Sequence, residues 1–164
     1  MFLRGSFALF ILCTLLANVI SVSVPFITCP DEAPASTAFE LDFNCEGGVP
    51  TPCTLFKGKT YAGNITFTPK TTINAGQIFL YDIVGEEKLP FPFDKSDFCK
   101  GHNLNCPLPA GQKQVFKMEM PVPSFAPSAN YKVEIEVRPP KSSASLMCLQ
   151  FLVTIADKSN DIEA

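Results

Sequence analysis

The residue types that carry most protein chemistry are sparse in this 164-residue chain. It has one histidine, His102, lodged between Cys99 and Cys106. A nucleophile, base and orienting acid built around it would need partners that nothing in the sequence points to. A histidine in so short a loop reads as a solvated surface residue. No G-x-S-x-G, H-E-x-x-H or phosphate-cradling glycine loop occurs, so neither catalysis nor a cofactor is expected. Glu134 and Glu136 alternate with apolar neighbours, which reads as carboxylates keeping one strand face soluble. With one histidine and no C-x-x-C pair, no metal site is expected either.

The cysteines and one asparagine carry the remaining covalent chemistry, and the N-terminus says where it takes place. Met1 to Arg4 is a positively charged start, Phe7 to Ile20 is an almost unbroken apolar run, and Ser21 and Ser23 are small. This is the layout of a secretory leader over 1–23, cleaved after Ser23. The run is shorter than the ~20 residues a spanning helix needs. A single domain over 24–157 follows, with a polar tail over 158–164. Secretion or an endolysosomal lumen is the expected location. Loss of Arg4 makes the formal charge more negative than −3. With no basic run, nucleic acid is excluded as a partner.

Cys13 leaves with the leader, and Cys29, Cys45, Cys53, Cys99, Cys106 and Cys148 remain. An even number in an oxidising compartment reads as three disulfides. Cys45 with Cys53 and Cys99 with Cys106 would close short loops, which leaves Cys29 for Cys148. Asn64-Ile65-Thr66 is an N-glycosylation acceptor.

The elements that must position these residues are strands. Phe39 to Asn44 and Tyr131 to Arg138 alternate apolar and polar residues, the period of a half-buried strand. Tyr61 to Thr68 alternates more loosely. Ile78 to Val84, Gln114 to Met120 and Leu149 to Ile155 add further β-branched, aromatic or alternating runs. Proline and glycine fill the joints, and fifteen prolines leave no amphipathic window of helical length. Short strands with frequent turn signals indicate an all-β sandwich or barrel. The absence of tryptophan removes the buried Trp of antibody-type domains.

Phenylalanine is the anomaly. Beyond Phe2, Phe7 and Phe10 in the leader, twelve remain. Phe91 and Phe93 sit in Pro90-Phe91-Pro92-Phe93, and Phe125 sits between Pro123 and Pro127. Proline stiffens the backbone beside these rings, so holding them out costs little entropy. Two readings are open: the rings fold back and plug the core, or they rim an apolar opening between sheets.

These features together resemble the MD-2-related lipid-recognition (ML) domain family, which includes the Niemann–Pick type C2 proteins and the group 2 mite allergens. The resemblance runs from Cys29 to Ile155. It rests on Pro52-Cys53 followed by Lys57-Gly58-Lys59-Thr60-Tyr61 and Asn64-Ile65-Thr66-Phe67, on Pro90-Phe91-Pro92 before Cys99, on Asn105-Cys106-Pro107-Leu108, on Met120-Pro121-Val122, and on Cys148 opening a final apolar strand. The Niemann–Pick C2 branch is the most similar.

That resemblance implies an immunoglobulin-like two-sheet β-sandwich with an apolar cavity between the sheets. It also implies the pairs Cys29–Cys148, Cys45–Cys53 and Cys99–Cys106, in agreement with the spacing. By motif position, Phe91, Val122 and Tyr61 match residues at or near the sterol entrance, and Ile135 stands where the sterol binder has a tryptophan. The family's entrance tyrosine aligns with Ala126, and Phe125 lies one place earlier. The expected function is non-enzymatic binding and transfer of a sterol or other lipid, with transient contact to membranes or a lysosomal sterol-accepting membrane protein, by a monomer. The alternative is lipid recognition in the MD-2 or allergen manner, with fatty acid, phospholipid or microbial lipid as ligand.

Overall fold

The computed structural model describes residues 21–30, 33–48 and 51–158. Residues 1–20 of the expected leader over 1–23, and all but the first residue of the tail, lie outside them. Ten strands are described: β1 (Val22–Ser23), β2 (Phe26–Thr28), β3 (Ser36–Phe43), β4 (Cys53–Phe56), β5 (Thr60–Pro69), β6 (Gln77–Val84), β7 (Glu87–Phe91), β8 (Gln114–Pro121), β9 (Ala129–Arg138) and β10 (Met147–Ala156). Each of the six runs picked out by alternation or β-rich composition is a strand. The four shorter ones were not legible, being too short for a period of two to show.

The strands form two sheets. One has the order β1-β3-β5-β8, and the other runs β2-β10-β9-β6-β7, with β4 also on β10. Every pairing is antiparallel except that of β4 with β10. The free edge of β10 is shared, with β2 along Leu149–Phe151 and β4 along Val153–Ala156. The immunoglobulin-like two-sheet sandwich is the observed architecture. In β1, Val22 and Ser23 pair with Phe43 and Asp42, so a mature chain starting at residue 24 would lack this pair.

Inward positions follow the period of two. Leu41 and Phe43, Ile65 and Phe67, Phe116 and Met118, Ile135 and Val137, and Leu149 and Phe151 are all buried. Phe43 reaches across to Phe151, with ring centroids 5.8 Å apart. Gly63, its cross-strand partner, makes room: a Cβ there would lie 2.4 Å from the Phe43 ring. Disulfides join Cys29–Cys148, Cys45–Cys53 and Cys99–Cys106. The first links the start of the described domain to its last strand, across 119 residues.

Two expectations about polar residues fail for the same reason, that tertiary neighbours cover them. Glu134 and Glu136 are not solvated; both are 0% exposed. They occupy β9, the middle strand of its sheet, where Tyr81 and Gln150 flank Glu134 and Phe79 and Cys148 flank Glu136. Lys88 Nζ and Gln150 Nε2 each donate to Glu134 at 2.7 Å, and the Arg138 guanidinium donates to Glu136. Such buried carboxylates are tolerable only because they are paired. His102 is 1% exposed. Its Nδ1 and Nε2 lie 2.8 Å from the carbonyl oxygens of Lys117 and Lys95, and its own carbonyl accepts from the Lys117 N–H. It fastens the disulfide loop to the edge strand β8, which would otherwise present unpaired backbone.

Candidate functional site

The 92–113 segment that joins the sheets sends Phe98 between them at one end. Phe98 packs on Phe116 at 5.2 Å and on Phe67 at 5.9 Å. Gly76 permits this approach, since a Cβ there would lie 2.9 Å from Val137 and 3.1 Å from Phe98. At the opposite end an apolar cleft remains. Leu55, Leu80, Met120, Val122, Val153 and Ile155 form its floor, with Phe91, Pro121, Pro123, Tyr131 and Val133 around them. It offers about 40 Å³ of space to water, enough for only a few molecules. The sheets therefore stand nearly closed over it. Larger depressions of about 540 Å³ beside His102 and about 300 Å³ beside Ile27 and Leu152 are open surface features.

The five residues singled out for lipid contact take different places. Phe91, the last residue of β7, and Val122, just past β8, both line the cleft. Tyr61 does not. It is buried beside Met120, its hydroxyl donates to Glu46 Oε1 at 2.5 Å, and it accepts from the Phe56 N–H at 2.6 Å. Burial and then the Glu46 bond push the phenol pKa up. Tyr61 thus anchors the Cys45–Cys53 turn at this end. Ile135 lies deeper, between Leu80 and Leu149. Phe125 is 87% exposed, two residues beyond the lining Pro123.

The proline-held rings therefore divide. Phe91, 38% exposed, rims the opening; Phe93 packs against His102 at 6.1 Å as a plug; Phe125 stands in solvent. Asn64 is half-buried beside the polar depression on the outside of β5, and Thr66 of its acceptor motif is buried. Glu134 lies within 4.8 Å of both sulfurs of Cys29–Cys148. Those sulfurs bond each other, so neither offers a thiolate to a metal.

Sequence reasoning missed every other residue of the lining, among them Leu55, Leu80, Asp82, Met120, Val133 and Val153. Most had a signal in the inward positions of their strands. What alternation does not say is which inward positions meet another side chain and which meet empty space.

Residues 23–155 match the ML domain. The chain belongs to the ML domain family. Within it, the chain is 32% identical over 148 residues to NPC intracellular cholesterol transporter 2 of Sus scrofa, covering 90% of this chain and 95% of that one. It is 32% identical over 104 residues to the mouse protein of the same name, covering 63% and 68%. Among solved structures, a Niemann-Pick type C2 protein from Japanese carpenter ant superposes with a TM-score of 0.72 at 18% identity, over 80% of this chain and 99% of that one.

Proposed function

We propose that this ML-domain protein is a non-enzymatic lipid carrier that takes up a sterol between its two sheets and passes it between membranes. The observation that carries this reading is the apolar cleft, open past Phe91 and Val122, in a chain whose relatives include proteins named for cholesterol transport. A secretory or endolysosomal lumen is its setting, since the leader and the disulfides suit an oxidising compartment. Among the described residues no helix is long and apolar enough to cross a membrane.

Physical chemistry suffices for the task. A sterol hiding ~400 Å² of apolar surface gains on the order of 10 kcal/mol gross at ~25 cal/mol/Å². Costs of association and of parting the sheets leave roughly micromolar affinity or better. Phe125 and the half-exposed Leu89 stand near the mouth as apolar contacts for a bilayer surface.

Expression through a secretory route, mass spectrometry of co-purifying lipid and titration with a fluorescent sterol test the carrier reading. Saturable sterol binding that Phe91→Ala weakens, with transfer between vesicles, supports it. A protein that carries and binds no lipid overturns it.

A further inference from the structure

The lining of the cleft contains one ionisable carboxylate. Along β6 the inward-facing residues are Ile78, Leu80 and Asp82, so the period of two turns Asp82 toward the core. Its register partners are Leu89 on β7 and Val133 on β9. Tyr81 faces outward, stacking on Phe79 at 6.4 Å. Asp82 is half-buried and lines the cleft. Among the described residues its carboxylate has no hydrogen bond or ion pair. The hydroxyl of Tyr131, also in the lining, is occupied in donating to the Pro127 carbonyl at 3.0 Å.

We propose that Asp82 reads the head of the bound lipid: it accepts a hydrogen bond from a hydroxyl at the mouth and repels an anionic head. The cleft then selects a neutral, hydroxyl-bearing lipid over its ketone and over lipids with an anionic head. This rests on the carrier reading above and names the head chemistry that the carrier accepts.

The placement supports a ligand that enters with its apolar body first. Leu55, Leu80, Val153 and Ile155 are buried and supply no polar group, whereas Asp82 and Phe91 lie nearer solvent. A ligand hydroxyl at the mouth can take the place of solvent as donor to this half-buried carboxylate. Burial pushes the Asp82 carboxyl above its ordinary value of 3.8. An acyl carboxylate, sulfate or phosphate there would place like charges side by side at a partly desolvated mouth.

Competition binding decides the matter. Displacement of a fluorescent sterol by cholestanol, by its ketone cholestanone and by cholesterol sulfate is measured for the secreted protein, Asp82→Asn and Asp82→Leu, with thermal melts as a folding check. The native protein is expected to prefer the alcohol to both others by about tenfold or more. Asp82→Leu should bind alcohol and ketone alike, and Asp82→Asn should lose its bias against the sulfate. The nearly isosteric Asp82→Asn carries the test if the leucine variant does not fold. Equal affinities in the native protein, or the same ratios in a folded variant, overturn the role of Asp82 and leave the carrier reading standing. A native protein that binds none of the three overturns both.

Discussion

At the end of the sandwich that holds Phe67, Phe116 and Val137, the connecting segment inserts Phe98, which packs on Phe67 and Phe116, and His102 packs on Phe116 in turn. At the end that holds Leu80, Met120, Val133 and Val153, no loop ring among the described residues fills the space as Phe98 does, and the apolar cleft remains. Both ends use large apolar side chains at inward strand positions, and both have a phenylalanine in a proline- or cysteine-bounded loop nearby. What differs is the path of the loop. A segment tied by Cys99–Cys106 and by both ring nitrogens of His102 is directed inward, whereas 121–127 leaves Phe125 outside. On the proposed carrier reading, stability and lipid binding fall to different ends.

That division can be broken experimentally. The largest effect is expected at the filled end. Phe98→Ala should lose about 3–5 kcal/mol, read from urea midpoints, because the closely packed rings around it cannot collapse into the void. Sterol affinity should change little; a large loss of binding in a folded Phe98→Ala protein would show that the two ends are not separate. Gly63→Ala comes next, at about 1–3 kcal/mol, since the new methyl group collides with the buried Phe43 ring.

At the cleft end, Phe91→Ala should weaken sterol binding by roughly tenfold while costing under ~1 kcal/mol, because the ring is already partly in solvent. A loss of 3 kcal/mol or more would make Phe91 a plug like Phe98. Phe125→Ala is smaller still. Its melting temperature and equilibrium affinity should match the native protein, and only transfer between vesicles should slow. An unaltered transfer rate would remove Phe125 from the membrane contact.

The smallest effect is in acid. Glu46 is held below its ordinary 4.5, first by the Lys59 hydrogen bond and then by that of Tyr61. A carboxyl lowered in this way stabilises the fold above its unfolded value, and the contribution is lost as pH falls through about 4.5 and below. Asp82, raised by burial, acts oppositely: its contribution is present below 3.8 and lost as pH rises through its raised value. Urea midpoints from about pH 3 to pH 6 should therefore rise less steeply in Glu46→Gln and more steeply in Asp82→Asn. Parallel profiles for both variants would remove these groups from the acid response of the cleft end.

Much of the fold was legible because alternation is a local property. Tyr131, Val133, Ile135 and Val137 share a face wherever the strand lies. The same local rule misled at Glu134 and Glu136, since it separates the two faces without saying whether the second meets water. On β9 it meets Lys88, Arg138, Phe79 and Gln150 instead. His102 was misread likewise: a short loop in sequence became a buried clamp once it lay along the edge of β8. Asp82 interrupted an apolar series in plain view, but its meaning required knowing that Leu89 and Val133 flank it at the border of an empty space.

The sequence by itself determined an all-β fold, its six longer strands, an even set of bridging cysteines and the family, because period, turn chemistry and motif spacing are written in neighbouring residues. Only the tertiary structure decided which end is filled, which of Phe91, Phe93 and Phe125 lines, plugs or protrudes, and where a carboxylate faces apolar wall. Those outcomes depend on the path of loops through space, and each is set by contacts between residues far apart along the chain.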